Sequence, residues 1–213
     1  MKRIIEVSAT GSMKLKPDAV TVSFAVREKG EDFRGVERNL NKRVSTFRSL
    51  VESAGFEKQE LVSKHYSVEQ DYIYDEDRNR YPNGFEGVHR LSIKFELDQD
   101  RLDKLLRTLY PSLQSIPYTV SFGLMDEEAF KNEVIDIAVK KGISEAEQLV
   151  KSAGVKLGPI LQLNYGRRDY PRDLSFNLAR MEESRDDDYI NPGFQPSELS
   201  LSQTVYMKWA IVD

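Results

Sequence analysis

The sequence contains no cysteine. Disulfides, thiolate nucleophiles and cysteine-ligated zinc are therefore excluded, and the redox compartment is left open. Histidine is scarce, with only His65 and His89. A basic excess is also lacking: 31 Lys and Arg stand against 35 Asp and Glu, a net charge of −4. Phosphate neutralisation supplies most nucleic-acid affinity, so a nucleic-acid partner is not expected. No apolar run approaches the ~18–20 residues of a membrane-crossing helix. The start, Met1-Lys2-Arg3-Ile4-Ile5-Glu6-Val7, has basic residues but no apolar stretch behind them, so it does not read as a secretory signal. Periplasm or cell envelope is the expectation if a signal was removed before Met1, and cytoplasm if Met1 is the native start.

What is present suits a globular chain. Hydrophobic residues make up 39% and charged residues 31% of 213 positions, a balance that argues against wholesale disorder. Ile5, Val7, Ala9, Gly11, Met13 and Leu15 alternate with polar residues, a strand period. Pro17-Asp18 marks a turn, and Val20, Val22, Phe24 and Val26 alternate again, so residues 4–26 read as two strands joined in a hairpin. Phe33, Val36, Leu40, Val44, Phe47, Leu50, Val51 and Ala54 then follow a helical spacing, with Asp32 as N-cap and Gly55 at the far end.

Residues 61–97 read as two long strands around a polar loop, Asp75 to Gly84. Leu102, Leu105, Leu106 and Leu109 predict a short helix over 100–110, started near Asp98 or Asp100 and closed by Pro111. Residues 118–124 read as a strand. A long helix over 127–153 follows, capped by Asp126 and ended by Gly154. Gly142 and Ala146 fall on its apolar stripe and predict close approach to another backbone. The stripe keeps phase across Gly142; the alternative is a break there, with Ser144 and Glu147 capping a second helix. Residues 161–165 and 199–212 close the chain as strands. Between them, the polar stretch 166–198 is too long for an ordinary connection and reads as a functional excursion or a mobile loop. The order ββαββ-αβαββ lacks strict alternation of strand and helix. The fold class is therefore α+β, with largely antiparallel sheets and helices packed on one face.

Few constellations carry chemistry. The two histidines sit on neighbouring predicted strands, yet a metal site normally needs three or four ligands at characteristic spacing. The plainer reading places both on solvent or on a lobe interface. The runs Asp75-Glu76-Asp77 and Asp186-Asp187-Asp188 lack the alternating carboxylates, glycine and distal glutamate of a calcium loop, and read as solvated charge. Nucleophile elbow, HExxH helix, P-loop and dinucleotide turn are all missing, and Thr10-Gly11-Ser12 has no following helix to hold a phosphate. Neither a catalytic residue, a metal ligand nor a cofactor is assigned.

The loop between the two long strands is richer. Tyr66, Tyr72, Tyr74, Tyr81 and Phe85 surround Arg78 and Arg80. Aromatics beside arginines stack nucleobases or sugars, and they are also enriched in protein interfaces. The net negative chain favours the interface. The excursion carries Arg167, Arg168 and Arg172, then Glu182, Glu183 and Asp186 to Asp188. Such a segment pairs with its own copy across a symmetry axis, or stays a solvated loop. The candidate interface residues are thus Tyr72, Tyr74, Arg78, Arg80, Tyr81, Phe85, Arg167 and Arg168.

Several pieces together carry a resemblance. They are Val7-Ser8-Ala9-Thr10-Gly11 with Lys16-Pro17-Asp18-Ala19-Val20, then Ala54-Gly55-Phe56, and Tyr72-x-Tyr74 with Gly84-Phe85-Glu86. Asp103-Lys104-Leu105, Val120-x-Phe122-x-Leu124-x-Asp126, Ala138, Ala146, Gly154-Val155-x-Leu157-Gly158 and the last strand complete the set. In this order the chain resembles the SIMPL-domain family over nearly its whole length, with Ala9 where the first glycine of the opening motif would stand. The resemblance implies one domain over 1–213, built as two intertwined lobes, with approximate lobe boundaries at 1–97 and 98–213. It implies export to the periplasm or cell envelope for many bacterial members, and a ring-like homo-oligomer for one periplasmic immunogenic member. It also implies links to oxidative-stress protection for some members, and a kinase-signalling adaptor for the mammalian namesake. It brings no catalytic residues. The expectation is a non-enzymatic homo-oligomeric scaffold or binding protein, partnered by itself or another protein. The alternative is a ligand-binding or hydrolytic enzyme whose site forms between lobes or subunits.

Overall fold

The computed structural model describes residues 3–165 and 193–212. The elements are β1 (Ile4–Leu15), β2 (Ala19–Gly30), α1 (Phe33–Ser53), β3 (Val62–Tyr74), β4 (Arg80–Glu96), α2 (Gln99–Leu113), β5 (Tyr118–Gly123), α3 (Glu127–Ser152), β6 (Lys156–Tyr165) and β7 (Leu199–Val212). Every strand pairing is antiparallel. The class is α+β in the expected order.

The elements fall into two compact units. A central unit holds residues 18–123 and 193–195, and a terminal unit holds 3–17, 124–165 and 196–212. The chain therefore divides at 17/18 and again at 123/124, not near 97. A split near 97 would part β4 from α2, and both belong to one core.

The central unit is a four-stranded sheet in the order β3-β4-β2-β5. Val20, Val22, Phe24 and Val26 alternate along β2 and point to one face. Their register partners Phe95, Ile93 and Leu91 on β4 point the same way. That face is covered by Leu40, Val44, Phe47 and Val51 of α1 and by Leu102, Leu105, Leu106 and Leu109 of α2. Burying each large side chain stabilises the fold by about 1.5–3 kcal/mol. Asp32 caps α1, its carboxylate accepting from the Gly35 N–H at 2.8 Å, and Asp98 caps α2 through the Asp100 and Arg101 N–H groups. At the end of α1 the Gly55 N–H donates to Glu52 O and the Phe56 N–H to Val51 O, satisfying two orphan carbonyls. Pro111 does not close α2, which runs on to Leu113. A proline this near the C-terminus forfeits one backbone bond, while the buried leucines hold the helix on the core.

The terminal unit is a three-stranded sheet in the order β1-β7-β6, with α3 on one face. The predicted hairpin of β1 with β2 does not form. β1 pairs with β7 along its whole length, and Thr10 and Thr204 share a hydroxyl hydrogen bond of 2.8 Å. The reason lies in the connection. The Asp18 N–H donates to Gly123 O and its carbonyl accepts from the Leu97 N–H, so the chain has already joined the β2 sheet at that point. β6 also starts earlier than residue 161, at Lys156.

α3 is continuous across Gly142. Asp126 caps it through the Ala129 N–H at 2.9 Å. Val134, Ala138, Gly142, Ala146 and Val150 recur every fourth residue as its buried stripe. Small residues let the helix lie close on Val7, Ala9, Gly11, Val205, Met207 and Trp209. A Cβ placed on Gly11 would strike the Val134 carbonyl oxygen and come to 2.7 Å from the Ala138 nitrogen. The predicted close approach is thus a strand backbone against a helix backbone. Among the described residues no helix is long and apolar enough to cross a membrane.

Candidate interaction site at the distal hairpin

β3 and β4 form the expected hairpin, but its turn is shorter than the polar stretch suggests. Only Asp75 to Asn79 lies outside the strands. Asp75 organises the turn: its carboxylate accepts from the Asn79 backbone N–H at 2.8 Å and side-chain amide at 3.1 Å. These bonds, with a smaller contribution from the Tyr81 hydroxyl, hold the Asp75 carboxyl below its ordinary pKa. Arg78 sits in the turn at φ 64°.

The register sorts the candidate residues onto two faces. Tyr74 is opposite Arg80 and Tyr72 opposite Pro82, while Ile73 is opposite Tyr81. On the first face the Arg80 guanidinium lies over the Tyr72 ring, 3.4 Å from its centroid, and the Tyr72 hydroxyl donates to Gln70 Oε1 at 2.7 Å. Tyr72 is therefore half-buried, with one ring face already occupied. Tyr74 is 65% exposed. On the other face Ile73 is 53% and Tyr81 50% exposed. Phe85 is half-buried because its ring meets Phe33 edge-on at 5.9 Å. It belongs to the packing of α1 on the sheet and leaves little surface for a partner. Arg167, Arg168, the acidic run Asp186 to Asp188 and most of the 166–198 excursion lie outside the described residues.

A clamp that sequence reasoning missed fixes the root of the hairpin. Lys29 Nζ donates to Asp71 Oδ2 at 2.7 Å, the Asn83 amide donates to the same oxygen at 3.3 Å, and the Tyr72 N–H donates to Oδ1 at 2.9 Å. The Lys29 bond depresses the Asp71 pKa, and the same bond raises that of Lys29. The signal was weak: an acid in β3 and a base in β2 meet only because β4 aligns the strands between them.

The two histidines part company. His65 is opposite Arg90 and His89 opposite Val26, so they face opposite sides of one sheet. A site shared by both is ruled out by that geometry. His65 is exposed, as read from the sequence, but His89 turns inward beneath α1. Its Nε2 lies 2.8 Å from Ser63 Oγ, which also accepts from Arg48 Nη2 at 3.2 Å. His89 Nδ1 is buried and without a hydrogen-bond partner among the described residues. Burial chiefly, with the Arg48 charge second, lowers the His89 pKa. The neutral ring is the folded form. Stability from His89 is then fully present above the unfolded value near 6.5 and is lost as pH falls toward the lower folded value. Urea midpoints of the wild type should drop between pH 7.5 and 5 more than those of His89→Gln; parallel curves would refute this.

An open cleft of about 490 Å³ lies between α1 and the end of α2, lined by Asn39, Lys42, Arg43, Thr46, Ser112 and Ser115 among others. Its guanidinium is engaged within the protein: Arg43 donates to Arg27 O, Glu28 Oε2 and Ser115 Oγ. Among the described residues no three His, Asp or Glu side chains gather as a metal site would require.

The chain is similar to proteins named Uncharacterized protein YggE. It shares 25% identity over 162 residues with that of Edwardsiella ictaluri (strain 93-146), covering 76% of this chain and 67% of the relative. It shares 26% identity over 167 residues with those of Escherichia coli (strain K12) and Shigella flexneri, covering 78% of this chain and 67% of each relative. The strands and helices of both units, from β1 to the Trp209 rung of β7, fall inside one family profile, SIMPL, described as a protein of unknown function (DUF541), which matches residues 5–209, and the chain belongs to that family.

Proposed function

We propose that this protein is a non-enzymatic scaffold that binds copies of itself, with the β3–β4 hairpin tip at the contact. The observation that carries the reading is the exposure of Ile73, Tyr74 and Tyr81 on a hairpin whose turn and root are both pinned by hydrogen bonds. Rigid aromatic side chains lose little entropy on docking and are the usual energetic centres of interfaces. Arg78 and Arg80 supply a polar rim. Among the described residues β3 and β4 carry two serine–histidine pairs, Ser67 with the exposed His65 and Ser63 with the inward-facing His89, and the latter suits a nucleophile and base poorly. Arg48 donates to the serine, its charge lowers the histidine's basicity, and no carboxylate orients Nδ1. The setting, cell envelope or stress response, rests on the family resemblance alone.

The test is solution mass by light scattering. The wild type should be a dimer or larger at ~100 μM, a concentration well above the micromolar dissociation constants of specific weak pairs. Replacing Tyr74 and Tyr81 together by serine should weaken association at least ~30-fold, about 2 kcal/mol, with circular dichroism unchanged. A monomeric wild type would sink self-assembly and favour a different protein as the partner.

A further inference from the structure

Among the described residues β6 is an edge strand of the terminal sheet, paired on one side only, with β7. Edges of this kind are usually blunted by charge, bulges, proline or shortness, because their free N–H and C=O groups recruit other strands. The other edges follow that rule. β1 carries Glu6 and Lys14; β3 carries Lys64, Glu69 and Asp71 and two register shifts; β5 has six residues. The first half of β6 follows it too. Pro159 has no N–H to offer, and the pairing with β7 shifts register between Leu157 and Ile160 and again before Gln162.

The second half departs from the rule. From Gln162 to Tyr165 the register with β7 runs in step, and residues 157–165 contain no charge. Leu163 is 54% and Tyr165 52% exposed, with Leu161 close behind. We infer that this half of β6 pairs antiparallel with the same segment of a second copy, joining two terminal sheets into one.

The sequence of the segment singles out that occupant. A twofold axis through Leu163 sets Leu163 opposite its own copy and Leu161 opposite Tyr165. The same axis sets Gln162 opposite Asn164. Apolar side chains then meet apolar ones, amides meet amides, and no like charges face each other across the axis. The charged strands β1 and β3 offer no such match. The contact uses a different sheet from the hairpin tip and takes from the proposed function only that the partner is a second copy.

Two measurements test it. The first is hydrogen exchange on the wild type at ~1 and ~100 μM, a range that brackets weak specific pairing. Amides within 160–165 should exchange more slowly at the higher concentration. Concentration-independent exchange there overturns the inference. Protection confined to 72–81 would do so too while leaving the hairpin reading standing, and protection confined to 160–165 would do the reverse. The second measurement is a charge exchange at the axis, with mass read by light scattering. Leu163→Lys and Leu163→Glu alone should each raise the dissociation constant of this contact at least ~10-fold, since like charges then oppose each other. Mixed in equal amounts they should restore it. Variants that keep the wild-type association, or a mixture that fails to recover it, would overturn the pairing.

Discussion

Replacing Gly11 by valine should displace α3 from its sheet and lower the melting temperature by roughly 6–12 °C. The physical basis is contact between two backbones. A Cβ at residue 11 would strike the Val134 carbonyl oxygen and lie 2.7 Å from Ala138 N and 3.2 Å from Ala138 Cα. Neither partner is the end of a flexible side chain, so relief requires moving the helix as a body. Overpacking in a core costs about 1–3 kcal/mol, and this case belongs at or above the upper end. One kcal/mol corresponds to about 2–4 °C in a chain of this size. Trp209, the sole tryptophan, is buried in the same cluster, so its emission follows the loss directly. Gly142→Ala is the control. The added methyl would strike Met207 Cε, the end of a flexible side chain, and lie 3.1 Å from Ala9 Cβ, while alanine recovers ~1 kcal/mol of helix propensity. A Gly11→Val protein melting within ~2 °C of the wild type would remove the close-approach argument.

Phe24→Ala should be equally severe in the other unit, costing about 3–5 kcal/mol. Phe24 is buried on β2, with its ring edge-on to Phe47 of α1 at 4.9 Å and 65°. Leu40, Leu91 and Leu106 are fixed in the same core and cannot all collapse into the vacated space. The urea midpoint followed by far-ultraviolet circular dichroism should fall accordingly, and a loss under ~1 kcal/mol would show that the core closes over the site. Because Trp209 belongs to a separate cluster, its emission during the same titration shows whether the two units melt together or in turn.

Most elements were legible in the sequence because their signals are local. The alternation of Val20, Val22, Phe24 and Val26 and the fourfold spacing of α3 each record one buried face. Asp32, Asp98 and Asp126 each sit where a helix needs an acceptor. Partnership was not legible. Alternation along β1 says that one side is buried, not which strand lies beside it, and its neighbour β7 is nearly two hundred residues away. The candidate site was legible as a cluster of residue types and no further. Composition does not distinguish Tyr72, covered by Arg80, from Tyr74, left open. Nor does it reveal that Phe85 serves Phe33.

The path of the chain between its two units has a consequence for synthesis. The main body of the central unit, residues 18–123, is contiguous, so it can mature while the rest is still being translated. The terminal unit has no such option. Its middle strand, β7, is made last of the described elements, and among the described residues β1 has no sheet neighbour other than β7. At ~5–20 residues per second, the roughly 180 residues between β1 and β7 keep β1 waiting for roughly 10–40 s on the ribosome. Nascent β1 spends that interval as an orphan strand, then gains its partner only once β7 has been made. Premature release of the chain before residue 199 would thus leave a finished central unit joined to a terminal sheet without its middle strand, a natural substrate for quality control.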